Sequence, residues 1–412
     1  MKFTTTTGAL TAATLTAAQI VPKTADYSAA DLADGSAWYN VSGVADANMR
    51  YDLAYRDYDS SCTYANADIR KEWRYLDEAT RKSFTDAVTC LTTMAPTHMT
   101  EAEASDYPGV KSRHDEFVAT HINYTMRIHD TADFLAWHRT FIHFWEQDLR
   151  NLCGYTGVLP YWNWALDSEA PQDSPVFNGD EYSMGSNGEY VDGRSDTWLS
   201  TMVSIHSDLL ENPHVTDHTQ DVTYPPGTGG GCVQSGPFSD YTVNLGPLDL
   251  PNTDNVNSSF QYNPRCLVRD INPWFTQRYN TFSNVTETVL DNIYIEDFQD
   301  YMQGYKGSNN KFGVHGGGHW QTGGSMSDFH SSPADPIFFL HHGMIDKTWT
   351  VWQNLDITRR TEAISGTSTL GNSPPSAEMT LDDMLPFGFV REDQRFGDVM
   401  STTKGPFCYR YE

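Results

Sequence analysis

Six of the fourteen histidines stand where their side chains could converge, with no obvious carboxylate ligand among them. His315 and His319 are four apart, so on a helix both rings lie on one face, a turn from each other. His129 and His138 are nine apart, half a turn out of phase on a continuous helix. They converge only if His129 precedes a helix that contains His138, with Asp130 and Asp133 as the caps that would start it. His342 shares a face with Asp346 at i, i+4, whereas His341 points about 100° away and reads as a packed neighbour. His121 lies on one helical face with Phe117 and Tyr124. Neutral nitrogen donors without carboxylates suit copper in softness and affinity order. Zinc is the rival metal, but dinuclear zinc hydrolases generally use carboxylate bridges. Six neutral imidazoles would leave two copper ions their full charge in a low-dielectric core, a site that attracts dioxygen-derived anions and ionised phenols.

Other residues near these strings suggest supporting roles. Glu146 could hold Arg139 or accept a hydrogen bond from a ligand imidazole, and Asp346 could support His342. Gly316, Gly317 and Gly318 separate the histidine pair, each costing a helix about 1 kcal/mol relative to Ala. They suggest backbone clearance beside the histidines, as an open substrate site requires. Gly316, Trp320 and Phe338 are the candidates for lining a pocket or packing on the rings. His98, His114, His143, His206, His214, His218 and His330 have no partner at ligand spacing and receive no role.

The elements that must position these groups are mainly helical. Apolar spacing predicts helices over 68–91, 110–127 and 133–152, the last stopping at Gly154, a natural residue to follow a helix. A further helix is expected within 284–301. The last strong one starts with Asp335 as N-cap and Pro336 at the first helical position and runs to about Gln353. Residues 158–164 read as extended and aromatic, 167–270 as largely loop, and the C-terminal tail as irregular. The expected fold is a central four-helix bundle holding a dicopper site, with long loops and a few short strands around it.

Composition narrows the function. The chain has 412 residues, 39% hydrophobic and 13% aromatic, which suits a globular protein. A formal charge of −27 argues against nucleic acid as a partner. No stretch approaches the roughly 18–20 apolar residues of a membrane span. Residues 1–18 resemble a short signal peptide, which points to secretion and leaves 19–412 as a single domain. The six cysteines lack metal spacing and allow three disulfides, with 15 connectivities open. Sequons at Asn40, Asn123, Asn257 and Asn284 are compatible with an export route, though Asn123 is expected within a buried helix.

At these residues the chain resembles the type 3 copper proteins, specifically the short, secreted fungal catechol oxidase/tyrosinase group. The string from His129 through Phe134, Trp137, His138 and Arg139 to Glu146 is similar to the family's copper A signature. Asp335, Pro336 and Phe338 through His342 to Asp346 are similar to its copper B signature. The likeness extends to Arg70–Arg74, Cys153–Trp164, Gly231–Phe238, Val243–Pro247, Asn263–Leu267 and the closing Tyr409-Arg-Tyr411. It implies copper A on His121, His129 and His138, and copper B on His315, His319 and His342. Little follows Tyr411, so the C-terminal shielding domain of many relatives is expected to be absent. The position where many relatives carry a thioether-forming cysteine is Arg127, so no such crosslink is expected. The position after the first copper B histidine, often Asn in efficient monophenol hydroxylases, is Gly316, and no carboxylate lies between Asp300 and His315.

The resemblance therefore implies oxidation of catechols to o-quinones with reduction of dioxygen to water, and weak monophenol hydroxylation. Small phenols and dioxygen are the partners, with no obligate protein partner. A tyrosinase, an o-aminophenol oxidase and a hemocyanin-like oxygen carrier remain alternatives on the same signatures.

Overall fold

The computed structural model describes residues 21–55, 61–199, 222–248, 259–304 and 312–412. The segment read as a signal peptide, the sequon at Asn257, and His206, His214 and His218 lie outside the described residues. Nine helices matter for the site: α1 (Ser36–Tyr55), α2 (Glu78–Thr93), α3 (Arg113–Tyr124), α4 (Phe134–Cys153), α5 (Pro273–Tyr279), α6 (Phe282–Leu290), α7 (Ile295–Gln303), α8 (Gly313–Thr322) and α9 (Ile337–Leu355). Strands are short and join only in pairs among the described residues. The mainly helical class holds, and no described helix is long and apolar enough to cross a membrane.

Local chemistry explains most helix ends. Ser112 and Asp115 form a capping box at the start of α3. At the far end of α4, Gly154 takes φ 72°, the left-handed conformation that suits glycine. Asp335 Oδ1 accepts the Ile337 amide at 3.1 Å, so the carboxylate caps α9 while Pro336 stands just before its first turn.

Three expectations need correction. The helix foreseen over 68–91 begins only at Glu78, capped by Asp77. Asp68–Arg70 is instead a strand, β1, pairing in parallel with β2 (Tyr409–Tyr411), and Trp73–Tyr75 is a single 3-10 turn. Ile69, Trp73 and Leu76 imitate a helical period by chance, because a strand and a turn can bury the same residues. The helix foreseen within 284–301 is two, α6 and α7, separated at residues 291–294. The tail is not irregular at its end: it closes on β1 and is tied by the Cys62–Cys408 disulfide. Cys90–Cys153 joins α2 to α4, and Cys232–Cys266 links two short strands.

The helices carrying histidine meet in an aromatic core. Trp145 of α4 stacks on Phe339 of α9 at 3.9 Å, and Phe117 of α3 packs on Phe141 and Phe339. Each such buried ring contributes roughly 1.5–3 kcal/mol. Buried arginines fasten this core to distant segments. Arg70 pairs with Glu146, Arg139 with Asp346, Arg113 with Glu116 and Asp148, and Arg269 with Asp335. A buried charge left unpaired would be severely destabilising, so these pairs select one arrangement of chain segments. Asn123 belongs to a largely buried helix but is itself exposed, and Asn284 serves as the third residue of the capping box on α6.

Candidate metal centre

Two groups of imidazoles face each other between α3, α4, α8 and α9. One comprises His121, His129 and His138; the other comprises His315, His319, His341 and His342, with donor atoms in each group within 4.8 Å of one another. His138 and His342 stack across the gap with centroids 4.5 Å apart and planes at 11°. His129 stands in the connection before α4, and His138 one turn inside it. The Asp133 side chain does not cap the helix. Asp133 occupies the N-cap position, but its carboxylate accepts the Thr131 hydroxyl at 2.7 Å, and Asp130 takes φ 49°. Burial pushes the Asp133 carboxyl up to about 7.

Main-chain carbonyls orient the first group completely. His121 Nδ1 donates to the His330 oxygen at 2.7 Å, His129 Nδ1 to Thr125 at 2.9 Å and His138 Nδ1 to Phe134 at 2.7 Å. With Nδ1 protonated, each neutral ring presents a lone pair at Nε2, and the Nε2 atoms of His121 and His138 are buried without any hydrogen-bond partner. In the second group His319 has such an anchor, Nδ1 to the Met326 oxygen at 2.9 Å. Its Nε2 lies 3.2 Å from His315 Nε2 and 3.3 Å from His342 Nε2. Facing lone pairs repel unless a cation sits among them. These separations match two nitrogens on one ion at about 2.0–2.1 Å each.

Burial, followed by the neighbouring rings, drives the His121 and His138 pKa values well below the usual value. Burial holds His129 at about 3 and His319 at about 4. The rings therefore stay neutral at physiological pH and need no deprotonation before binding a metal. The donor set fits a pair of copper ions.

The supporting carboxylates act differently from expectation. Glu146 touches neither Arg139 nor an imidazole; it accepts from Arg70 at 2.6 Å and from the Leu159 amide at 2.9 Å. Asp346 shares its face with His342 but accepts from Arg139 at 2.5 Å and from the Tyr409 and Tyr411 hydroxyls at 2.6 Å. Burial raises the Asp346 carboxyl, but Arg139 and Arg70 outweigh it and hold the group below the usual carboxylate range. His342 Nδ1 consequently has no partner. Guanidinium groups from α4 and β1 outcompete an imidazole because a full charge binds the carboxylate more strongly.

The pocket candidates separate too. Phe338 packs on His342 at 4.1 Å and His121 at 5.4 Å, fully buried beneath the rings. Trp320 turns away and stacks on Phe275 at 5.9 Å in a satellite cluster with Phe312. One residue beyond His319, it necessarily points about 100° from that ring. Of the three glycines, Gly317 and Gly318 supply clearance for packing: a Cβ on Gly317 would come within 2.6 Å of Tyr279 Cβ, and one on Gly318 would overlap the His341 ring. Gly316 alone has room for a side chain: a Cβ there would make only ordinary contact, 3.5 Å to Phe312.

Sequence reasoning missed three contributors. His341, set aside as a neighbour, lies inside the second group, but its Nδ1 accepts the Trp164 indole N–H at 3.0 Å. His330 contributes only its carbonyl, which no residue type could advertise. Phe329, partly exposed, packs 4.7 Å from His129 at the open side; its place between the two histidine strings was the available signal.

Comparisons with known proteins agree with this centre. The family model for the common central domain of tyrosinase matches residues 111–355. "Tyrosinase P" of Aspergillus terreus is 40% identical over 365 residues, covering 85% of this chain and 97% of that protein. "N-acetyl-6-hydroxytryptophan oxidase ivoB" of Emericella nidulans is 37% identical over 388 residues, covering 90% and 99%. The structure of a polyphenol oxidase variant from Thermothelomyces thermophila superposes with a TM-score of 0.81 at 34% identity, covering 93% of this chain and 100% of that one. With the family domain spanning all six histidines that pair across the core, the chain belongs to the tyrosinase family of dinuclear copper oxidoreductases.

Proposed function

We propose that this family member is a secreted, single-domain catechol oxidase that converts o-diphenols to o-quinones. In this reading His121, His129 and His138 hold one copper, and His315, His319 and His342 hold the other. Arg70, Glu146, Arg139 and Asp346 keep the helices in register from behind. When bound, the copper pair accepts two electrons from each catechol and passes them to dioxygen, so that two catechols reduce one O2 to two waters.

The residues around the second group do the selecting. His319 and Gly316 are partly exposed, whereas the rings of the first group are buried. A flat ring can approach over Gly316, with Phe329 and Phe134 as aromatic neighbours of the imidazoles. The single observation that carries the diphenol preference is the side chain-free surface at Gly316. It offers nothing to position a water that would take a proton from a monophenol. Nearby acids are otherwise engaged: Asp335 holds Arg269, and Asp328 accepts the His330 and Ser331 amides. Asp133, though raised to about 7, is buried against Thr131. A catechol is already o-dihydroxylated and needs no hydroxylation step.

A second reading, a hydroxyindole or other monophenol oxidase, is favoured by the relative named for N-acetyl-6-hydroxytryptophan. The test is oxygen consumption by the copper-loaded chain with catechol, phenol, o-aminophenol and 6-hydroxyindole side by side. Catechol is expected to turn over at least about tenfold faster than phenol, a difference of roughly 1.4 kcal/mol in barrier. Phenol oxidised as fast as catechol, without a lag, would overturn the proposal.

A further inference from the structure

The second group holds one imidazole more than an ion with an open position uses. His315, His319, His341 and His342 each offer a donor atom, and these atoms lie within 4.8 Å of one another. Two nitrogens bound to one ion at about 2.0–2.1 Å each are at most about 4 Å apart. His341 therefore stands within about 1 Å of ligand range. A metal site that performs chemistry keeps a position free of protein donors, so a fourth ring this close has to be held off.

One hydrogen bond does this. The Trp164 indole N–H donates to His341 Nδ1 at 3.0 Å, and both side chains are fully buried. Burial keeps the His341 pKa well below its usual value, so the ring carries a single proton. A bond accepted at Nδ1 leaves that proton on Nε2. The indole thus closes both nitrogens: it occupies one lone pair and fixes a proton where the other would be. The main-chain oxygen of His315 favours a protonated nitrogen on this ring, although Nε2 completes no hydrogen bond. His319 shows the opposite arrangement, with Nδ1 donating to Met326 and Nε2 turned toward His315 and His342. The tryptophan is itself fixed on α9, because the Trp162 amide donates to the Leu340 oxygen at 3.1 Å, one residue before His341. Asn163 Oδ1 accepts the Ala165 amide at 3.3 Å and starts the 3-10 turn that begins at Trp164. On the side of α8, a Cβ on Gly318 would stand 2.3 Å from His341 Nδ1, so only glycine lets the ring lie there.

We propose, resting on the ligand assignment above, that Trp164 is a positioning residue that withholds His341 from the metal. The second group then binds its ion through three nitrogens and leaves a position open for a substrate oxygen or a small anion. Without the indole N–H, Nδ1 regains its lone pair, or the proton moves to Nδ1 and frees the lone pair of Nε2. Either nitrogen becomes a fourth donor that competes for the open position.

Two measurements test this. The first is the nitrogen NMR spectrum of isotope-labelled histidines in the copper-free full chain at neutral pH, with His341→Phe used to assign the ring. His341 is expected to carry its proton on Nε2 with Nδ1 bare; a proton on Nδ1 would overturn the proposal. The second titrates azide into the copper-loaded, oxidised chain and follows its charge-transfer absorption. Trp164→Phe keeps a buried ring but loses the N–H, and azide should bind at least about tenfold more weakly. Adding His341→Phe removes the fourth donor, and affinity should return to within about twofold of the unaltered chain. That recovery separates a misplaced imidazole from general damage at a buried tryptophan. Unchanged azide affinity in Trp164→Phe would sink the proposal, as would a double variant as weak as the single one. Copper analysis of each sample keeps the underlying assignment apart. An unaltered chain that fails to hold its two coppers contradicts the ligand reading itself, whereas two coppers beside an Nδ1-protonated His341 contradict only the role of Trp164.

Discussion

The two imidazole groups are built by opposite strategies. In the first, all three Nδ1 atoms donate to main-chain carbonyls, two of them four residues earlier in the chain, and every ring is buried. In the second, one carbonyl anchors His319, His342 Nδ1 has no partner, and the helix that carries two of the rings contains three consecutive glycines. The first group is preset by hydrogen bonds close to each ring. The second is held by packing: Gly318 against His341, His341 against Trp164, and Phe338 beneath His342. A site that binds only metal benefits from rigid donors, whereas a site that also admits substrate needs one open, yielding wall.

The most severe way to test the contrast is to remove one ring from each side. His138→Ala and His342→Ala should each lower oxidase turnover by on the order of 10³-fold or more. Metal analysis should find about one copper per chain in either variant, retained at the intact group. Two coppers and full turnover in either would break the assignment. Asp346→Asn comes next, because it strips charge from two buried guanidinium groups behind the second group. A loss of about 3–5 kcal/mol in urea unfolding is expected.

The glycines provide a sharper comparison within one turn. Gly318→Ala should cost about 1–3 kcal/mol by driving a methyl into the His341 ring, and weaken copper retention at the second group. Gly316→Ala meets no close atom and should be neutral or stabilise by up to about 1 kcal/mol. Equal effects of the two would show that packing does not hold that helix. Chelator-driven copper release followed by absorbance should be biphasic, with the second group emptying first by roughly tenfold in rate. A single phase would remove the distinction.

The smallest effect concerns a buried imidazole outside both groups. His114 accepts the Trp145 indole N–H at Nδ1 and faces the Pro333 oxygen at Nε2, and burial lowers its pKa to about 4. The unfolded chain takes up a proton below about 6.5, whereas the folded chain does so only near 4. Its contribution is therefore complete above about 6.5 and declines as pH falls through that window, by up to about 1.4 kcal/mol per unit. Thermal midpoints of copper-free protein between pH 7 and 5 should show a shallower slope in His114→Gln. An unchanged slope would refute the assignment.

Helix positions around the histidines were legible because caps and apolar spacing are local. α4 and α9 begin and end within a residue or two of expectation, at Asp133, Gly154 and Asp335. The start of α2 was misjudged because Asp68–Arg70 pairs with β2, which comes from the opposite end of the chain. Glu146 and Asp346 were recognised as important, but their partners were not. Arg70 reaches both from a strand that no local pattern connects to α4 or α9.

From the residue string alone came the donor inventory, its division into two strings, the absence of ligand carboxylates and the mainly helical class. Those depend on residue type and on spacing within a turn or two, which backbone geometry converts directly into shared faces. Only the tertiary structure decided which carbonyl orients each ring, that Trp320 turns away while Phe338 lies beneath the site, and which acids hold which arginines. Such pairings join segments far apart in the chain. They are settled by the competition of buried charges and close-packed rings for a limited number of partners, and periodicity carries no record of that competition.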